Sequence, residues 1–143
     1  PLEGDEEANN ILETAEVLEV SNNSAGNPAA FVAGRIIDGG MDMDHYSISL
    51  DGVDAGRTIG CACASQRMGQ GLEGLTLAIL DANTGEELHS STETPDAAPT
   101  CGDDGIAIPF GTQRIVFRIT AGGQSPDVVG NYYRCGVNFF EPM

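Results

Sequence analysis

Residues 39–50 read GGMDMDHYSISL, and this stretch decides the fold that we expect for the chain. In its second half the apolar residues from Tyr46 to Leu50 fall on one side of an extended chain and polar residues fall on the other, which is typical of a half-buried β-strand. Its first half is a glycine turn that carries Asp42 and Asp44. Alternate side chains of an extended segment point the same way, so these carboxylates either repel each other or share a cation. We take the shared cation as the working hypothesis.

The same alternation recurs between turns rich in glycine, proline, asparagine and aspartate. Further strands are predicted at 31–37, 58–64, 75–79, 86–90, 106–110, 114–120 and 131–140. Only Ile11–Leu18 has helical spacing, after a capping-box pair formed by Asn10 and Glu13, so one short N-terminal helical turn is expected. About eight short strands predict one all-β domain over residues 1–143, a jelly-roll or Greek-key β-sandwich. Residues 1–8 are expected to be flexible unless a cation holds them.

The charge balance excludes several classes of partner. There are 22 Asp and Glu residues against six basic residues, all of them arginine, and the formal net charge is −16. Such a field repels phosphate backbones and anionic lipid surfaces, so nucleic acid is not an expected partner. No apolar run approaches the roughly 20 residues that span a bilayer, so membrane insertion is not expected either. The acidity is equally typical of a protein that stays soluble in salty surroundings. The oligomeric state is left open.

The four cysteines indicate an oxidising compartment. Cys61, Cys63, Cys101 and Cys135 lack the paired spacings of a zinc site, so two disulfides are the preferred interpretation over buried thiols. A bridge between Cys61 and Cys63 would join parallel Cβ vectors on one strand face, which is poor geometry. Each is therefore expected to reach Cys101 or Cys135, in an order that the sequence leaves open. We expect a secreted, periplasmic or cell-surface protein whose export signal, if it had one, has been removed.

Six short motifs follow one another along nearly the whole chain. They are Glu7–Asn10, Thr14–Ala15, Val32–Ile36, Asp42–Tyr46, Leu75–Gly85 and Gly130–Tyr133. In this order they resemble the bacterial pre-peptidase C-terminal domains, relatives of the collagen-binding domains of secreted collagenases. The resemblance implies a non-catalytic β-sandwich that is usually appended to secreted hydrolases. The chain departs from the pattern by Ala8 in place of proline, by Asn10 in place of an acid, by its four cysteines and by an insertion at 91–105.

The acidic N-terminal segment has two interpretations. It is either the start of the helical turn or half of a calcium site, since calcium prefers six to eight hard oxygen ligands. The resemblance implies the second, because some members hold calcium between this segment and the aspartate turn. The candidate ligands are Glu7, Asn9, Asn10, Asp42 and Asp44, with Glu6 in reserve. Asp103 and Asp104 are interpreted as a solvated loop rather than a second cation site.

Catalysis is not expected. His45 and His89 are the only histidines. His45 lies opposite the apolar side of its strand and is predicted to be a surface residue, whereas His89 has serine neighbours without a positioned base and orienter. No nucleophile elbow, phosphate-binding loop or metalloprotease motif is present.

The last strand presents a candidate binding face. Tyr132, Arg134, Asn138 and Phe140 lie opposite its inward set, and the collagen-binding relatives use aromatic residues on a sheet face. The alternative is that this face packs under a loop. The sequence therefore predicts a non-catalytic accessory or cell-surface domain stabilised by calcium and disulfides, or else a module that binds an extracellular polymer or protein through Tyr132, Arg134 and Phe140.

Overall fold

A computed structural model of the chain describes residues 15–35, 43–51, 53, 56–64, 72–94, 96–120, 123–124 and 132–141. Within these residues the protein is all-β. The strands are β1 Glu16–Val17, β2 Ser21–Asn22, β3 Pro28–Arg35, β4 Asp44–Ser49, β5 Thr58–Ala64, β6 Leu72–Glu73, β7 Thr76–Asp81, β8 Glu87–Thr92, β9 Ile106–Ala107, β10 Arg114–Thr120, β11 Gly123–Gln124 and β12 Tyr132–Phe140. The described residues include no helix long and apolar enough to cross a bilayer.

Two five-stranded sheets form a β-sandwich, which confirms the predicted fold class. Sheet I has the order β1-β4-β10-β7-β8 and sheet II the order β2-β3-β12-β5-β9, while β6 and β11 pair as a separate ribbon. Neighbours in both sheets are antiparallel except for β1, which runs parallel to β4. The chain passes back and forth between the sheets, as in jelly-roll and Greek-key sandwiches.

The core lies between the inner faces of the two sheets. Alternation places one side of each long strand there, and the largest fully buried side chains come from both sheets: Tyr46, Tyr133, Phe139, Ile48, Ile59, Leu75, Leu77, Ile79, Ile115 and Ile119. Burying each such side chain contributes roughly 1.5–3 kcal/mol. The predicted inward set of the last strand, which includes Tyr133 and Phe139, is therefore confirmed.

Two disulfides fasten β5 of sheet II. Cys63 pairs with Cys135 of β12, which lies directly opposite it in the register, with a Cα–Cα distance of 4.0 Å. Cys61 pairs with Cys101, in the connection between β8 and β9, at a Cα–Cα distance of 5.0 Å. The prediction that each β5 cysteine reaches Cys101 or Cys135 is confirmed.

The predicted helical turn over Ile11–Leu18 falls partly outside the described residues. The part that is described is not helical, because Glu16–Val17 pairs with Tyr46 and Ser47 of β4 as a strand. Residues 1–8, which were predicted to be flexible, and the predicted cation ligands Glu7, Asn9 and Asn10 lie wholly outside the described part of the chain.

One side-chain prediction is wrong: His45 is not a surface residue. It lies on the outer face of sheet I but is only 5% exposed, and Ser47 on the same face is equally buried. The physical reason is that β4 is an interior strand of its sheet. Its neighbour β10 places Arg118 directly opposite His45, and the guanidinium of Arg114 donates a hydrogen bond to the Ser47 hydroxyl at 2.7 Å.

Candidate functional site

Asp44 occupies the first position of β4, with its carboxylate in the core. It shares the inner face of the strand with Tyr46 and Ile48, and it is fully buried. Tyr133 of the opposite sheet donates a hydrogen bond from its hydroxyl to Asp44 Oδ2 at 2.5 Å. The hydroxyls of Tyr133 and Tyr46 are also hydrogen-bonded, at 2.6 Å. These three side chains form a buried polar group that joins the two sheets.

The environment of Tyr133 keeps its hydroxyl protonated. Burial raises the pKa of this phenol far above its ordinary value, and neighbouring Tyr46 and Asp44 raise the pKa further. Loss of the proton would place a second negative charge beside the buried carboxylate. Tyr133 therefore keeps its proton at pH values where an exposed tyrosine would lose it, and this proton is the one donated to Asp44.

The predicted calcium ligands are represented by Asp44 alone. Glu7, Asn9, Asn10 and Asp42, together with the reserve ligand Glu6, lie outside the described residues. Within the described ranges, no group of three or more histidine, cysteine or acidic side chains is arranged to hold a metal ion. What the structure contributes to the hypothesis is one buried carboxylate, held in place by a tyrosine hydroxyl at the start of the aspartate strand.

The second acidic pair lies in solvent. Asp103 and Asp104 are both exposed, in the turn between Gly102 and Gly105. This position agrees with the interpretation of a solvated loop.

Each histidine is either buried in the sandwich or hydrogen-bonded to its backbone. His45 is buried on the outer face of sheet I, as described above. His89 bonds through Nε2 to the carbonyl oxygen of Thr100 at 2.9 Å, and the amide of Thr100 donates to the Ser91 hydroxyl at 3.2 Å. His89 and Ser91 thus fasten the connection between β8 and β9 to the edge of sheet I.

The three predicted binding residues all belong to β12, in the middle of sheet II. Arg134 is exposed on the outer face. Phe140 is half-buried, and its ring lies so close to Gly60 and Gly105 that a Cβ added at either glycine would come within 3.0 Å of it. The backbone of Tyr132 lies in the strand, and its side chain is outside what the structure describes. Arg134 is therefore available to a ligand, while the Phe140 ring packs on the protein itself.

Phe31 is a surface residue that the sequence did not single out. It lies in β3 directly opposite Gly136 of β12 and remains 69% exposed. Its ring lies over Gly136, since a Cβ there would be 3.0 Å from the nearest ring carbon. Phe31 forms one wall of an open groove of ≈ 620 Å³ whose lining includes Ala33, Ala62 and Arg134. We call these four residues, together with Gly136, the sheet II groove.

The strands of sheet II carry no acidic residue. Their sequences are SN, PAAFVAGR, YYRCGVNFF, TIGCACA and IA, in a chain with 22 Asp and Glu residues. Small residues recur in the sequences of the three central strands: β3 contains Ala33, β5 contains Gly60, Ala62 and Ala64, and β12 contains Gly136. Only the strand register shows where they meet: Ala62 lies beside Gly136, and Ala33 and Ala64 lie on either side of Arg134.

No protein-family model and no curated protein sequence matches this chain.

Proposed function

We propose that this chain is a non-catalytic, secreted or cell-surface accessory domain of bacterial pre-peptidase C-terminal type, stabilised by disulfides and calcium. The two disulfides support an oxidising location, since such bonds persist outside the cytoplasm and are rare within it. The β-sandwich architecture agrees with the fold that the resemblance implies. Neither nucleic acid nor a membrane is proposed as a partner, because the net charge is −16.

The single observation that carries the calcium part of the proposal is the placement of Asp44. A fully buried carboxylate is costly unless hydrogen bonds or a cation compensate its charge. Tyr133 donates a hydrogen bond to this carboxylate, and the place of Asp44 at the start of the aspartate strand would let it share calcium with Asp42 and the N-terminal ligands. A cation there would also attach the N-terminal segment to the sandwich.

A calcium titration followed by thermal melting tests this proposal. We expect the melting temperature to rise with calcium and to fall when a chelator is added, since a ligand that binds only the folded state stabilises it by about 2.7 kcal/mol at a hundredfold excess over Kd. D42N should abolish the rise. D103N is the matched control, because it removes one exposed acid elsewhere and should retain the rise. A melting temperature indifferent to calcium in the parent protein would remove calcium from the proposal.

A second candidate function is a binding module that uses the outer face of sheet II. The observation that favours it is the sheet II groove, where an exposed aromatic ring and an exposed arginine lie on a floor of small residues. Partially exposed aromatic surface of this kind is enriched at recognition sites. The ligand would be an extracellular polymer or protein.

A sedimentation assay on insoluble collagen, cellulose and chitin separates the two candidates. A binding module is retained on at least one polymer and is released by Y132A or F31A. A purely structural domain melts in a calcium-dependent way and stays in the supernatant. F110A is the matched control, because Phe110 is a fully exposed phenylalanine outside sheet II.

A further inference from the structure

We propose that the sheet II groove binds an extended polypeptide segment of a partner protein that presents an apolar side chain and, two residues away, a carboxylate. This proposal rests on the second candidate function above and names its ligand. The apolar side chain would lie against Phe31, and the carboxylate would pair with Arg134.

Arg134 differs from the other described arginine side chains in its lack of a protein partner. Four arginine side chains fall within the described residues, and three of them contact protein partners. Arg57 donates to Asn27 Oδ1 and to the carbonyl of Phe139. Arg114 donates to Ser47, and Arg118 lies 3.8 Å from Glu87. Arg134 alone of these four has no hydrogen bond or ion pair, although it stands in the middle of a sheet.

The surroundings of Arg134 on sheet II complement a negatively charged ligand group. Ala33 and Ala64 lie directly opposite Arg134 on the two neighbouring strands, and none of the five strands of sheet II contains an acid. The guanidinium fork matches a carboxylate in two parallel hydrogen bonds, and the flat small-residue floor leaves room for an incoming chain. In a protein of charge −16, the strands of this face therefore place no acid of their own beside an incoming carboxylate.

The spacing between Phe31 and Arg134 matches that of alternate side chains in an extended peptide. Phe31 is opposite Gly136, and Arg134 is two residues before Gly136 on the same strand, so Phe31 and Arg134 are diagonal neighbours. Diagonal neighbours on an antiparallel pair are roughly 7–8 Å apart. Alternate side chains on one face of an extended peptide are about 6.6 Å apart, which fits this spacing. An extended segment can therefore reach both residues at once.

The test is an NMR titration of the isotopically labelled full chain with two peptide pools at physiological ionic strength, where long-range repulsion is screened. Both pools consist of capped pentapeptides with Leu or Phe at the second position. The acid pool has Asp or Glu at the fourth position, and the amide pool has Asn or Gln there. We expect the acid pool to shift the amide signals of Phe31, Ala33, Arg134 and Gly136, with a Kd about three- to fivefold lower than that of the amide pool, as for one exposed ion pair.

Matched variants assign the effect to its two residues. R134Q should remove the difference between the pools, whereas R118Q, which removes one arginine from the other sheet, should preserve it. F31A should weaken binding of both pools, and F110A should not. Equal Kd values for the two pools, or a preference that survives R134Q, would overturn the carboxylate assignment and leave the second candidate function standing. If neither pool shifts these signals, the whole inference is wrong, while the calcium and sedimentation experiments still decide the proposed function independently.

Discussion

The hydroxyl of Tyr133 in sheet II donates a 2.5 Å hydrogen bond to the fully buried carboxylate of Asp44 in sheet I. The two residues belong to distant parts of the chain, and their contact joins the sheets through an otherwise apolar core. A buried acceptor that loses its donor retains the full cost of desolvation.

Y133F should therefore lower the free energy of unfolding by about 2–3 kcal/mol, because it leaves the Asp44 carboxylate without this donor. Y46F is the control. It removes the hydroxyl contact between the two tyrosines but keeps the Tyr133 donor to Asp44, and it should cost about 1 kcal/mol. Urea unfolding with unchanged m-values measures both. Equal losses for the two variants would show that the bond to Asp44 carries no special weight.

The same tyrosine predicts a decline in stability at alkaline pH. Its pKa is raised in the folded state above the ordinary value of 10.0, so its contribution is fully present below about pH 10. Above that pH the unfolded chain releases the proton and the folded protein keeps it. Stability should fall by about 1.4 kcal/mol per pH unit from this residue alone. Urea unfolding at several pH values above about 10 measures the slope of the unfolding free energy against pH. In Y133F this slope should be smaller by the contribution of one proton. Parallel slopes would contradict the assignment.

Removal of either disulfide should cost about 2–5 kcal/mol. The closed segments span 40 and 72 residues, so loop entropy separates the two bonds by only about 0.5 kcal/mol. Amide hydrogen exchange near each bond distinguishes the two disulfides better. The amide of Cys101 donates to the carbonyl of Cys61 at 3.1 Å, so exchange at residue 101 should accelerate in C61A/C101A and remain slow in C63A/C135A. Equal protection in the two double variants would refute this difference.

Two glycines in one turn offer a matched comparison. Gly102 and Gly105 both have positive φ, at 83° and 72°. A Cβ at Gly102 meets nothing within 4 Å, whereas one at Gly105 would lie 2.7 Å from the backbone oxygen of Ile59. G102A should therefore cost only the conformational term, about 1–2 kcal/mol, and G105A should cost about 3 kcal/mol or more. Thermal melting compares them, and equal losses would show that the contact with β5 relaxes freely.

Strong alternation made much of the fold predictable. The strands at Thr58–Ala64 and Arg114–Thr120 have the predicted bounds, because each alternates clearly between turn signals. The strand expected at 31–37 begins three residues earlier, at Pro28, and is described as far as Arg35. The two-residue strands β1, β2, β6 and β11 were not predicted, since two residues carry no period.

The candidate site was less predictable, because it depends on pairing between strands. The alternation of β4 correctly places His45 on the polar face of that strand. Its exposure, however, depends on residues of neighbouring strands, which the pattern of one strand does not include. Phe31 lies on an exposed face because Gly136, far along the chain, stands opposite it. Arg134 was selected from β12 alone, whereas its lack of a partner is a property of the assembled sheet.

The position of β12 has a consequence for how the protein matures. This strand follows the other described strands in sequence and lies between β3 and β5, so sheet II cannot be completed until residues 132–140 have been synthesised. Before Cys135 is available, we expect Cys101 to pair with either Cys61 or Cys63, and we expect the bond between Cys63 and Cys135 to favour the native pairing. Oxidation of a chain truncated before residue 132 should therefore yield both isomers, and a single native bond in that chain would show that the pairing is chosen earlier.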